Sequence, residues 1–201
     1  MWLTAPPELE IAGNLSLAVA GRVAMDHVEI SEANWRSLPL QVATPTMKFS
    51  EPEFVGNFKG LVDSSNLTRL VVEKLEAQAS SFALTARDSA HPDGNGNRVG
   101  TAAFVVDLDR LLKNTGGATA PSSNSSYGAS GRIDGQLNWQ VSPQAAAVTI
   151  RADGQNVTVY NQSAGTTRTP LWTEPQLSTL TSGNWKADTG DIQVESLQVQ
   201  T

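Results

Sequence analysis

Cysteine is absent from the chain, which excludes disulfide frameworks, thiolate zinc sites and cysteine nucleophiles. Histidine is nearly absent: His27 and His91 stand 64 positions apart, so a His-rich metal centre is not expected. Charge is also scarce, 17% of residues against about 25% in an average soluble protein. The 14 basic and 20 acidic side chains leave a net charge of −6. A nucleic-acid-binding face needs clustered Lys and Arg to neutralise phosphates, so no nucleic-acid partner is expected. No run of about 18 apolar residues is present to form a membrane-crossing helix. The opening Met1-Trp2-Leu3-Thr4-Ala5-Pro6-Pro7 lacks the basic start and apolar stretch of a signal peptide. The expectation is a cytosolic chain or a piece cut from a longer protein.

What the chain does have is enough apolar material to fold. Its 201 residues suit one ordinary domain or two small ones. The hydrophobic fraction of 39% becomes about 46% when Gly replaces Tyr in the count, inside the globular range.

The dominant period is two. From Leu9 to Met25 every odd position is apolar or Gly, while the even positions are polar or small, the pattern of a half-buried strand or hairpin. Gly131-Arg-Ile133-Asp-Gly135-Gln-Leu137-Asn-Trp139-Gln-Val141 repeats it without a break. Val148, Ile150, Ala152 and then Val157, Val159 continue the alternation, with turns expected at Ser142-Pro143 and at Asp153-Gly154-Gln155-Asn156. Further strands are predicted near Leu38–Phe49, Phe54–Val62, Leu70–Gln78, Ser81–Arg87, Val99–Val106, Asn184–Ala187 and Ile192–Gln200. One helix of about two turns is expected at 107–114, where Leu108, Leu111 and Leu112 share a side, acids lead and Lys113 trails. Thr115–Gly128, rich in Gly, Ser, Thr and Asn, reads as a loop or hinge.

An internal repeat is visible. Glu51-Pro52-Glu53-Phe54 followed by Gly56-Asn57-Phe58-Lys59 returns in order as Glu174-Pro175-Gln176-Leu177 and Gly183-Asn184-Trp185-Lys186. Leu70-Val-Val72-Glu73-Lys-Leu75-Glu-Ala77-Gln78 matches Ile192-Gln-Val194-Glu195-Ser-Leu197-Gln-Val199-Gln200 at an offset of 122. In both stretches the apolar face changes parity after the Glu, which predicts a shared β-bulge there. Extended backwards, Ile11–Leu17 falls opposite Ile133–Trp139. The expected organisation is one β-rich array over 1–201, with a first repeat at about 8–128 and a second, truncated one at about 129–201. The equivalence of Trp185 with Phe58 favours a packing role for Trp185.

No set of residues converges on catalysis. Asp93, Asn95 and Asn97 begin like a calcium loop, but Arg98 stands where the sixth-position Gly is needed and Phe104 where the bidentate Glu is needed. Tyr127-Gly128-Ala129-Ser130-Gly131 lacks the spacing of a nucleophile elbow. Asp107 and Asp109 fit a helix start, where the backbone dipole favours negative charge. No enzymatic activity and no cofactor or metal are expected.

The short helix, the small-residue loop, Gly-Arg-Ile-Asp-Gly-Gln-Leu-Asn-Trp at 131–139 and the closing Gly190-Asp191-Ile192-Gln193-Val194-Glu195-Ser196-Leu197 together resemble AsmA-like proteins of the bacterial envelope. Members of that family, with their TamB relatives, are long periplasmic proteins anchored by an N-terminal membrane helix, with bodies built of repeating β-grooves. The resemblance implies a fragment of a longer, membrane-anchored cell-envelope protein that handles lipid or assists envelope assembly without catalysing a reaction. It implies a phospholipid or other acyl-chain ligand, flanking repeats of the parent chain as partners, and membrane contact only through those flanking segments. The expected fold is all-β: a curved, mostly antiparallel sheet, either an open groove or a sandwich. Lining candidates are the odd-numbered apolar residues Leu15, Leu17, Val19, Ile133, Leu137, Trp139 and Val141. A β-sandwich adhesive or carbohydrate-binding module, stacking sugars on surface Trp, is the alternative.

Overall fold

The computed structural model describes residues 10–25, 27–44, 48–63, 70–88, 97–115, 125–142, 144–163, 168–186 and 191–201. Alternation is realised as long strands: β1 (Glu10–Val23), β2 (His27–Ala43), β3 (Lys48–Glu51), β4 (Phe54–Asp63), β5 (Leu70–Ala79), β6 (Phe82–Asp88), β7 (Arg98–Asp107), β8 (Ser125–Val141), β9 (Ala145–Ser163), β10 (Arg168–Lys186) and β11 (Ile192–Gln200). The one helix among the described residues, α1 (Leu108–Asn114), sits between β7 and β8. Asp107 caps it, its carboxylate accepting from the Arg110 amide at 3.0 Å, and Lys113 closes its last turn on Asp109.

All the described strands belong to one antiparallel sheet that is open and does not close into a barrel. Its order is β1-β2-β4-β5-β6-β7-β8-β9-β10-β11, with β3 continuing the line of β4 along β2. Space thus follows sequence: apart from β3, which pairs with β2 alone, each strand lies beside the strands next to it in the chain. The sandwich expectation is corrected: there is a single sheet, and among the described residues no second sheet faces it.

The parity change after Glu73 and Glu195 is a bulge in both places. Lys59 pairs with Lys74 and Gly60 with Val72, which leaves Glu73 as the extra residue. Ser182 pairs with Ser196 and Gly183 with Val194, which leaves Glu195 extra. The Val72 amide beside the first bulge donates to Asp88 at 2.7 Å, so its donor is satisfied away from the ladder.

Pairing also corrects the repeat alignment. Measured from these bulges, Leu75 stands level with Phe58, Ala33 and Val19, and Leu197 with Thr181, Ile150 and Leu137. Val19 therefore answers to Leu137, and Phe58 to Thr181. The offset drifts along the chain, and the equation of Trp185 with Phe58 fails. Phe58 is half-buried, whereas Trp185 is 41% exposed.

Three further expectations change. Asp153–Asn156 is not a turn: β9 runs through it, with Asn156 at φ 50° in a bulge opposite Gly131, itself at φ 120°. The strands expected to begin at Leu38 and Asn184 begin at His27 and Arg168. Ser125–Gly128, placed in the hinge, already belongs to β8; the rest of that segment beyond Thr115 lies outside the described residues. The turn at Ser142 is present, its amide donating to the Ala145 carbonyl at 2.8 Å.

Candidate functional site

Residues directly opposite one another in an antiparallel pair point to the same face. The register therefore decides which side chains share a surface. One ladder crosses ten strands: Val19, Ala33, Phe58, Leu75, Ala86, Ala102, Leu137, Ile150, Thr181 and Leu197. The next begins at Leu17 and Trp35, passes Leu84, Phe104 and Gly135, and ends at Val199. A third joins Leu15 to Ser37 and Phe54 at one side, and Phe82, Val106 and Ile133 further on. Trp139 and Val141 follow Leu137 by steps of two along β8. All seven residues singled out in the sequence thus lie on one face of the sheet, Leu15, Leu17 and Val19 at its border and the other four near its middle.

Among the described residues no second sheet covers the face. At the border Leu15, Leu17 and Val19 are 68%, 60% and 58% exposed. In the middle Leu75, Leu84, Phe104 and Leu137 are half-buried among their own neighbours. Among the described residues the buried apolar set is Ala33, Val71, Ala77, Val157 and Tyr160, too few for a closed core. The sequence places Leu75 on the apolar face of its strand, and Phe54, Leu84 and Phe104 within predicted strands without a face assigned. Only the order of pairing joins them to Leu17 and Leu137, and single strands carry no signal for that order.

Aromatic rings on this face lie over glycines. A Cβ on Gly135 would stand 2.1 Å from the Phe104 ring, one on Gly56 2.2 Å from Trp35, and one on Gly100 2.2 Å from Trp139. Each glycine leaves room for a ring to lie flat across the neighbouring strand. The Trp139 indole N–H donates to Asp88 at 3.1 Å. The Trp35 indole nitrogen is buried and has no hydrogen-bond partner among the described residues.

The opposite face is polar. Asn34, Asn57, Glu76, Thr85, Gln136 and Arg151 share one of its ladders. Its charges pair locally: Lys59 with Glu73 at 2.8 Å, Arg132 with Asp134 at 2.8 Å, and Arg151 with Asp153 at 3.2 Å. The Arg132 guanidinium holds the Asp134 carboxyl below its ordinary value, and the Asn57 amide does the same to Glu76. A shallow hollow of about 570 Å³ opens on this side, with Glu76, Thr85, Arg87, Thr101, Gln136 and Asn138 in its lining.

One end of the sheet is clamped by α1 and β3. Glu51 of β3 is fully buried and accepts from the hydroxyls of Ser80 and Ser81 in the β5–β6 turn. Arg110 of α1 donates to the Ser80 carbonyl at 3.2 Å, and Asp109 pairs with Arg168 of β10 at 3.1 Å. Asp107 and Asp109 are thus spent on holding the helix. Among the described residues no cluster of three His, Asp or Glu could bind a metal ion. His91, Asp93 and Asn95 of the calcium-like loop lie outside the described residues, as does Trp2.

Comparison with family models, with curated proteins and with solved structures found no match.

Proposed function

We propose that the uncovered apolar face is an acyl-chain-binding groove, and that the chain is a non-enzymatic lipid-handling or envelope-assembly segment of an AsmA-like, periplasmic protein. The observation that carries the reading is the set of apolar ladders crossing ten strands with no second sheet over them among the described residues. A lipid tail laid across them gains about 0.8 kcal/mol for each CH₂ removed from water. The head group stays at the open side, where it keeps its hydration. No bond is made or broken, so the mechanism asks only for apolar area, curvature and access.

The test uses Ala102→Asp, which sets a carboxylate in the middle of the first ladder between Ala86 and Leu137. Lipid extracted from the purified protein and identified by mass spectrometry should be present in the wild type and lost in the variant. The circular-dichroism spectrum of the variant should be unchanged. An empty wild-type protein would overturn the reading.

A second reading, a sugar-binding module, is favoured by Trp172, whose ring is 42% exposed. A glycan-array signal abolished by Trp172→Ala would support it.

A further inference from the structure

We propose that the hollow on the polar face is a binding site for a phosphorylated sugar, anchored by Arg87. The site lies on the side of the sheet away from the apolar ladders, so it does not rest on the acyl-chain reading. Its floor and walls follow from the register. Thr85, Ala103 and Gln136 stand side by side in one ladder, and Arg87, Thr101 and Asn138 in the next. Ala103 carries only a methyl between two longer side chains, which gives the hollow its depth. The volume of about 570 Å³ falls in the range of about 300–1,000 Å³ that small-molecule sites occupy.

Polar side chains elsewhere on this face bind one another. Within the same two ladders Asn57 donates to Glu76 at 2.7 Å, and Ser182 shares a hydrogen bond with Ser196 at 2.9 Å. Around the hollow that pattern stops. Among the described residues the side chains of Thr85, Arg87, Thr101, Gln136 and Asn138 make no hydrogen bond or ion pair. Five neighbouring polar groups thus border one space with their donors and acceptors unspent.

Charge selects the ligand. Lys59 stands opposite Lys74, and Lys74 and Arg87 follow one step past the Leu75–Ala86 pair, so three cations share a row across β4, β5 and β6. Like charges in neighbouring strands repel. Glu73 neutralises Lys59 at 2.8 Å and Glu76 neutralises Lys74 at 3.0 Å, which spends both carboxylates that border the hollow. Arg87 keeps an unmatched charge in that row. A planar guanidinium holds two phosphate oxygens at once, so a phosphate is the anion that fits it. The net charge of −6 opposes an anion only weakly, because salt screens charges more than about 8–10 Å away. The hydroxyls of Thr85 and Thr101 and the amides of Gln136 and Asn138 both donate and accept, which suits the hydroxyls of a sugar. Among the described residues no aromatic ring lines the hollow, so these contacts carry the affinity without stacking.

Isothermal titration calorimetry of the full chain with glucose 6-phosphate, glucose, inorganic phosphate and phosphatidylglycerol vesicles tests this. The wild type should bind glucose 6-phosphate at least about tenfold more tightly than glucose or inorganic phosphate. Arg87→Gln should weaken binding of glucose 6-phosphate by about tenfold or more. Ala103→Leu, which fills the floor and leaves Arg87 in place, should abolish it. Both positions are exposed, so both variants should keep the wild-type circular-dichroism spectrum. No binding of glucose 6-phosphate through the millimolar range would overturn the proposal, as would undiminished binding by Arg87→Gln or inorganic phosphate binding as tightly as the phosphosugar. Binding to the vesicles alone would also overturn it, because the ligand would then be a lipid surface. None of these outcomes depends on lipid held by the apolar face, so the two readings fail separately.

Discussion

Glu51 has no exposed surface, yet it keeps its charge through its neighbours. Burial alone pushes its carboxyl upward, but hydrogen bonds from Ser81, Ser80 and Asn114 together outweigh that and hold it below the ordinary 4.5. A carboxyl lowered on folding stabilises fully above its unfolded value and loses that contribution as pH falls through the folded one. The native protein should therefore hold its stability from neutral pH down to about 4.5 and lose part of it below. Glu51→Gln should cost about 1–3 kcal/mol at neutral pH, because three donors lose a charged acceptor. The gap between variant and wild type should narrow on acidification. Urea denaturation at pH 7 and in the acid limb checks this, and a gap independent of pH would remove Glu51 from the acid response. At the same scale, Phe104 over Gly135 is a pairing that composition hides: glycine in a strand reads as a weakness until the ring across from it is known.

Among the elements, the bulges at Glu73 and Glu195 set the phase of their strands. Deleting Glu73 would leave Val72 opposite Gly60 and Lys74 opposite Lys59 in an unbroken ladder, with Leu75 still on the apolar face. That deletion should cost only about 1–2 kcal/mol, for the Lys59 ion pair and the displaced Val72–Asp88 bond. Deleting Glu76, three positions on, reverses Ala77 and Ala79 and should cost more than about 4 kcal/mol. Thermal melting of the two deletions checks the difference, and equal losses would count against the bulge as the phase-setting element. The parity change that marks these bulges was legible in the sequence, as were β1, β4 to β7, β11 and α1, because their alternation or capping is local. The first half of β2 was not, since Ser31 and Glu32 oppose only Lys59 and break the period. Nor was most of β10, where Pro170 and Pro175 argue against a strand. Among the described residues that part of β10 pairs with β9 alone, because β11 joins from Ser178 onward, and a strand paired on one side tolerates proline. Asp153–Asn156 read as a turn because a bulge with a positive φ uses the same residues as one. All seven lining candidates share a face, but only because β1 and β8 are linked through the strands between them, which no pattern within β1 or β8 encodes.

The whole molecule exposes 13575 Å², whereas a compact monomer of 21.3 kDa exposes about 9,100 Å². The described sheet contributes to that excess, since the side chains of its apolar face have water where a second layer would stand. Because so much surface is already wet, unfolding exposes less of it anew. The urea m value should therefore lie in the lower half of the range of about 1–3 kcal/mol/M, despite the length of the chain. An m value at the top of that range would mean a hidden layer and would count against the open sheet. Strand order that follows chain order has one more consequence. With every ladder joining a strand only to those beside it, and with few side-chain links that reach further, such as Trp139 to Asp88 and Glu51 to Ser80 and Ser81, cohesion is mainly a nearest-neighbour property, as in a stack of repeats. The borders can fray one strand at a time while the centre stays intact, so the molecule has no single all-or-none seam and its firmness is graded from rim to middle.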